Sequence, residues 1–203
     1  MGKGAVAALG CLGVVVLLVV VAVGVVWSGY NGMVAADESV KTAWAQVENA
    51  YQRRADLIPN LVETVKGYAA HESETLEAVT ASRSQAGSVQ MTPEMLGDPA
   101  ALQKFEAVQG SLSSALSRLL VVVERYPDLK ANQNFLTLQD QLEGTENRIA
   151  VERRRFNEAA QAYNVKIRRF PGTLFAGMFG FAPKAYFQSA PGSDAAPTVD
   201  FSK

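Results

Sequence analysis

Hydrophobic and polar positions divide the chain into two unlike parts. No charged residue occurs between Lys3 and Asp37, and Gly4 to Trp27 is an almost unbroken run of Val, Leu, Ala and Gly. As a helix at ~1.5 Å per residue this run is about 36 Å long, enough to cross a ~30 Å hydrocarbon core with some tilt. A helix also satisfies its own backbone N–H and C=O groups inside lipid. After Asp37 the pattern becomes periodic. Val40, Trp44, Val47, Tyr51, Ile58, Val62, Val65, Ala69, Leu76 and Val79 keep one stripe at helical spacing. The stripe holds its phase across Pro59, which predicts a bent continuous helix over roughly 31–85 rather than a reversal at the proline.

Glycines and prolines from Gly87 to Pro99 then mark a connector. A second helix is predicted from Asp98-Pro99, an N-cap followed by a proline at the first helical position. Its stripe is Leu102, Phe105, Gln109, Leu112, Leu116, Leu119 and Val123, and Tyr126-Pro127 ends it. A third helix starts near residues 129–132 and keeps step through Phe135, Leu138, Leu142, Ile149, Phe156, Tyr163 and Ile167, stopping at Phe170-Pro171-Gly172. No segment alternates with period two. The fold class expected is all-α: an N-terminal single transmembrane helix (1–29), an elongated antiparallel bundle with long, coiled-coil-like helices (30–188), and a flexible tail (189–203).

Other readings of the apolar run fit less well. A cleaved leader has a shorter core, and Val34-Ala35-Ala36 lies far beyond Trp27. Cys11 precedes the apolar core instead of following it, and Val6 stands where an acylation signal at Gly2 needs Ser or Thr. A retained anchor places Trp27 and Tyr30 at the membrane–water boundary. Lys3 on the short side, against Asp37 and Glu38 on the long side, orients the N-terminus to the cytoplasm and the bundle outside it.

Charge and composition remove several function classes. Nineteen basic and 20 acidic residues nearly cancel, so no basic surface points to nucleic acid. The single cysteine, Cys11, lies in the anchor, which excludes a disulfide in the bundle. The single histidine, His71, is followed by Glu72, but position 75 is Thr, so the metal pair of a zinc-peptidase helix is incomplete. One histidine cannot supply the paired Glu-x-x-His motifs of a di-metal bundle either. Gly172, Gly177 and Gly180 lack the Lys-Ser or Lys-Thr and the preceding strand of a phosphate loop. No catalytic residue, cofactor or metal ligand is assigned.

Polar residues interrupt the stripes: Arg54 and Glu72 on the first, Thr145 with Glu152 or Arg153 on the third. They read as interior ion pairs that set helix register, the alternative being a polar binding groove. Leu174 to Phe181 is too short to cross a bilayer; it reads as a segment folded over an apolar groove of the bundle, the alternative being a surface for a partner, another protomer or lipid.

Several segments resemble the LemA family of bacterial membrane proteins. Arg53-Arg54-Ala55-Asp56-Leu57-Ile58-Pro59-Asn60-Leu61-Val62 is similar to its signature, and Tyr30-Asn31, Ala43-Trp44 and Tyr68-Ala69-Ala70-His71-Glu72 match the pattern around it. Tyr126 to Asn132, Glu143, Glu146 to Ile149, Arg153 to Asn157, Ala162-Tyr163-Asn164, Gly180-Phe181, Pro183 and Tyr186-Phe187 continue the resemblance. It implies a single-pass anchor with a helical bundle in the bacterial inner membrane and no established catalysis. One branch is associated with magnetosome membranes, which implies envelope or organelle organisation.

The function expected is therefore non-enzymatic: an envelope scaffold or protein-interaction module, in contact with the membrane lipid bilayer and with copies of itself or other envelope proteins. The alternative is a membrane-linked sensor or ligand-binding bundle. Small residues Ala7, Gly10, Cys11 and Gly24 would allow anchors to approach, though a Gly-x-x-x-Gly is absent. The structural and interaction residues are Trp44, Arg54, Asp56, Pro59, Asn60, His71, Glu72, Glu146, Arg153 and Asn157. With only Gly29 and Gly32 to loosen the joint, the anchor is expected to run directly into the bundle as a stem.

Overall fold

The computed structural model describes residues 3–188, with side chains from residue 11; the expected flexible end at 189–203 and the side chains of Ala7 and Gly10 lie outside the described residues. The described residues are helical and contain no strand: α1 (Lys3–Lys66), α2 (Ser73–Ser88), α3 (Pro99–Val123), a single turn α4 (Pro127–Lys130) and α5 (Gln133–Arg168), with short 3-10 turns at Pro93–Gly97 and Gly172–Leu174. The cap predicted at Asp98 is made, and α5 is capped by Asn132, which sequence had placed only within its start region. Asp98 accepts the Ala100 N–H at 2.9 Å ahead of Pro99, and Asn132 accepts the N–H groups of Asn134 and Phe135 at 2.9 and 3.1 Å.

α1 is one helix of 64 residues, so at ~1.5 Å per residue it is about 96 Å long. It passes unbroken through residues 27–40, as the stem reading requires. Its first half suggests a membrane anchor: from Leu12 to Val23 the aliphatic side chains are exposed along every face. From Met33 onward one stripe is buried.

The expected helix over 31–85 is corrected. α1 continues through Pro59 and stops at Lys66; residues 67–72 form a turn, and α2 runs back along α1, its Arg83 reaching Ala55. The sequence stripe misled because Val65, Ala69, Leu76 and Val79 are all buried, but on two antiparallel helices and the turn between them. His71-Glu72 therefore lies at the distal tip rather than inside a helix, and Glu72 is not on a seam.

The remaining order follows from the helix pairings. α3 packs closely on α2 and reaches α1 through side chains, Phe105 near Tyr51 and Ser113 near Arg54. α5 descends from Asn132 near Tyr68 to Lys166 near Gly32. Two apolar clusters result. The membrane-proximal one includes Met33, Trp44, Tyr51, Leu102, Phe105, Ile149, Phe156 and Phe187; the distal one includes Ile58, Leu61, Leu112, Leu119, Phe135 and Leu142. α2 is 16 residues long and covers only the distal half. The connector from Met91 and the segment after α5 close the proximal half, with Phe175, Ala176, Ala185 and Phe187 buried there. The fold-back predicted for 174–181 thus holds for Phe175, Ala176 and Phe181, while Leu174 and Met178 remain exposed.

Candidate functional site

Where the two clusters meet, all three long helices switch from one to the other across the same interval. Tyr51 and Ile58, Phe105 and Leu112, Leu142 and Ile149 are each seven residues apart, and a polar layer sits between. Its centre is Arg54, 1% exposed. The guanidinium donates to Ser113 Oγ at 2.9 Å and Gln109 Oε1 at 2.5 Å on α3, and to Glu146 Oε1 at 2.8 Å on α5. It also lies 5.1 Å from the Tyr51 ring centroid, while its Nε has no protein partner. A fork of donors fixed to two neighbouring helices locks their axial register, because a slip of one residue would strand a buried charge.

Pro59 has a different role. Lacking an N–H, it leaves the Ala55 carbonyl without its helical donor. Arg83 Nε of α2 supplies the missing bond at 2.8 Å. The proline therefore marks where α2 docks, and α1 needs no reversal there. Sequence reading missed Arg83; the available signal was the carbonyl four residues before a mid-helix proline.

The segment after α5 is bound to it by two amide side chains on one face. Asn157 donates to the Phe187 C=O and accepts its N–H, both at 2.9 Å. Asn164 does the same with Lys184, both at 2.8 Å, and also donates to Tyr186 Oη at 2.9 Å. Seven helical residues advance about 10.5 Å and three extended residues about 10 Å, so the two pitches match and each Asn meets one residue of the extended segment. On the opposite side the Ala185 N–H donates to the Leu96 C=O at 2.9 Å. Asn164 was absent from the residues expected to matter; an Asn pair at heptad spacing on a buried helix face was the readable clue.

Charges complete the clamp. Lys184 Nζ lies 2.8 Å from Asp37 Oδ1, and Lys41 3.0 Å from Oδ2. Burial works to raise the Asp37 carboxyl, but hydrogen bonds from Lys184 and Lys41 outweigh it and hold the group below its ordinary value. Burial pushes the Tyr163 phenol up to about 12, so it stays protonated and donates to the Ala182 C=O at 3.0 Å. Arg153 pairs with Glu106 of α3, donates to the Gln188 C=O at 3.2 Å and stacks 4.5 Å over the Phe187 ring. Trp44, 3% exposed, centres the proximal core, with ring centroids of Phe105, Phe156 and Phe187 at 5.4, 5.5 and 5.9 Å.

The other expected residues are not gathered at these points. Glu72 joins the distal turn to the end of α3, accepting from Tyr126 Oη and Arg125, each at 3.0 Å. Glu152 is buried but pairs with Arg148 and Arg155 of its own helix. Asp56, Asn60 and His71 are exposed and make no interhelix side-chain bond among the described residues. Asp56 and Arg53 instead line an open polar groove of about 670 Å³ between α1 and α5, with Gln52, Gln141 and Arg148. The described residues contain no group of three or more His, Cys, Asp or Glu placed to hold a metal.

An apolar helix that suggests a membrane anchor, continuous with an antiparallel bundle whose register is set by a buried arginine, defines a class of membrane-associated helical-bundle proteins. The chain belongs to the LemA family, whose profile matches residues 43–201. It is similar to Magnetosome protein MamQ 2 of Paramagnetospirillum magneticum, with 29% identity over 96% of this chain and 76% of the relative. Magnetosome protein MamQ of Magnetospirillum gryphiswaldense gives the same identity and coverage. Protein LemA of Metamycoplasma hominis is 23% identical over 86% of this chain and 78% of its own length.

Proposed function

We propose that this chain is a non-enzymatic, single-pass protein of the bacterial inner membrane whose bundle acts as an envelope scaffold, binding copies of itself or other envelope proteins. Family membership and the MamQ relatives support a membrane-associated setting. The observation that carries the scaffold reading is the unbroken α1, which joins the apolar span to the bundle and holds the bundle's faces at a fixed angle to the bilayer. The face we assign to partners is the α1–α5 groove. The same signature segment turns Arg54 inward to the register layer and presents Arg53 and Asp56 outward in the groove.

In-cell photocrosslinking from Gln52 and Gln141 on the groove, with Val121 as a distal control, tests this. Discrete adducts from the groove alone are expected. No adduct, together with a monomer at all concentrations in mild detergent, would refute the scaffold reading. A ligand-dependent thermal shift of the full chain would favour the sensor alternative. The N-terminus is proposed to be cytoplasmic and the bundle outside; a membrane-impermeant maleimide should then label Val121→Cys in a Cys11→Ser background on intact cells with a permeable outer layer.

A further inference from the structure

The lower end of the bundle carries an exposed apolar turn at the level of the span. Phe170, Leu174 and Met178 are 79%, 68% and 81% exposed, unlike the buried Phe175 and Ala176 between them. The turn is fixed to α1. A Cβ on Gly29 would lie 2.7 Å from the Phe175 ring, so glycine there is what admits the ring. Phe179 stands 5.1 Å from Tyr30, centroid to centroid, and shares an apolar cleft of about 520 Å³ with Ala22, Val23, Val26 and Trp27. Those last residues end the apolar run. Phe179, lining a cleft with them, is therefore at the level where the apolar run ends, and the exposed side chains belong to the same short turn.

The charges that close α5 have one sign, and the nearest acids on α1, Asp37 and Glu38, lie above Gly32 and are paired with Lys184 and Lys41. No acid occurs between Glu158 and Asp194, whereas Lys166, Arg168 and Arg169 close α5. All three are exposed and form no salt bridge among the described residues. Apolar side chains projecting below a basic collar are the arrangement that embeds in the acyl–headgroup boundary of an anionic bilayer.

We propose that Phe170, Leu174 and Met178 insert into the bilayer surface beside the anchor, with Lys166, Arg168 and Arg169 on anionic phospholipid headgroups. The bundle then stands on lipid at two points, one spanning and one interfacial. The inference rests on the apolar part of α1 crossing the membrane. Continuity with that span identifies the occupant as lipid: a second copy of the bundle would have to cover the same side chains inside the headgroup layer.

The test uses the full chain with Cys11→Ser in vesicles of phosphatidylcholine, alone or mixed equally with phosphatidylglycerol. Spin labels are placed singly at Leu174→Cys, Met178→Cys, Leu18→Cys in the span and Val121→Cys at a distal exposed position. Accessibility to oxygen relative to an aqueous nickel complex should be severalfold higher at 174 and 178 than at 121. Adding Arg168→Gln and Arg169→Gln should lower that ratio in the anionic vesicles and leave it unchanged in the neutral ones. A lipid-type signal at 18 with a water-type signal at 174 and 178 overturns the interfacial contact alone. A water-type signal at 18 overturns the anchor with it. Labels at 174 and 178 immobilised and shielded from both reagents indicate a protein neighbour and also overturn the proposal.

Discussion

Replacing Asn164 tests whether the extended segment after α5 is held by side-chain amides. Asn164 is 6% exposed and serves Lys184 at both backbone groups, with Tyr186 Oη as a third partner. In Asn164→Ala the Tyr186 hydroxyl can turn to water, because that side chain is exposed. The Lys184 N–H and C=O lose their partners in an extended segment that is only partly buried, which puts each near the lower end of the ~1–3 kcal/mol range and the expected loss at about 2–3 kcal/mol. The segment is able to lift without unfolding the helices, so the loss should appear as local opening. At ~1.4 kcal/mol per decade, hydrogen exchange over residues 182–188 should quicken about 30- to 150-fold, with the amides of the distal core on α3 unchanged. Asn164→Asp separates geometry from chemistry. It keeps an acceptor for the Lys184 N–H but turns an oxygen toward the Lys184 carbonyl, so it should be no better than alanine despite equal size. Exchange in 182–188 within twofold of the parent would refute the reasoning, and so would equal acceleration throughout the bundle.

Three further outcomes follow from the same structure. Arg83→Met should cost about 1 kcal/mol in the parent, less than a buried charged bond because Arg83 is partly exposed, and close to nothing in Pro59→Ala, where the Ala55 carbonyl regains a helical donor; denaturation of the four variants in mild detergent measures the coupling, and additive costs would contradict it. The Asp37 carboxyl sits below its unfolded value, so its tie to Lys184 is fully present above the unfolded carboxylate range, near pH ~4, and is lost as pH falls through the folded value; protection at residues 182–188, taken relative to the intrinsic exchange rate at each pH, should fall on that acid limb, and Asp37→Asn should remove that fall. Gly110→Ala, which meets open space on α3, should stabilise by up to ~1 kcal/mol, whereas Gly29→Ala should lose that gain because its methyl meets Phe175; equal thermal shifts for the two would show that the ring yields freely.

Helix stripes were legible because each long helix buries a single face, and the start of α3 was legible because Asp98-Pro99 carries local cap chemistry; the start of α5 was placed only to the region 129–132, where the Asn132 cap fixes it. The turn at 67–72 was not. Apolar spacing reports which residues are buried and not the direction of the chain, so the step from Ala69 to Leu76 looks the same whether the helix continues or reverses. Gly67 directly after Lys66 was the local stop signal that the unbroken stripe outweighed. The register layer was half legible: Arg54 stood out as a charge and Gln109 as an amide among apolar stripe positions, but Ser113 is an ordinary helix residue until α3 is placed near α1. The segment held by Asn157 and Asn164 was hidden because an extended stretch packed on a helix face leaves no period of its own.

The unbroken passage of α1 from span to bundle makes the bundle's bearing a matter of residue arithmetic. Each residue added between Trp27 and Gly29 would rotate everything above it by about 100° and raise it by ~1.5 Å. One extra residue would swing the basic collar away from its present side of the anchor. Seven would return it to within roughly 20° but leave it about 10 Å higher, which on the proposed interfacial contact lifts Phe170, Leu174 and Met178 clear of the headgroups. Angle and height can thus be changed separately by counting residues, so the stem works as a vernier between the plane of the membrane and whatever the bundle faces.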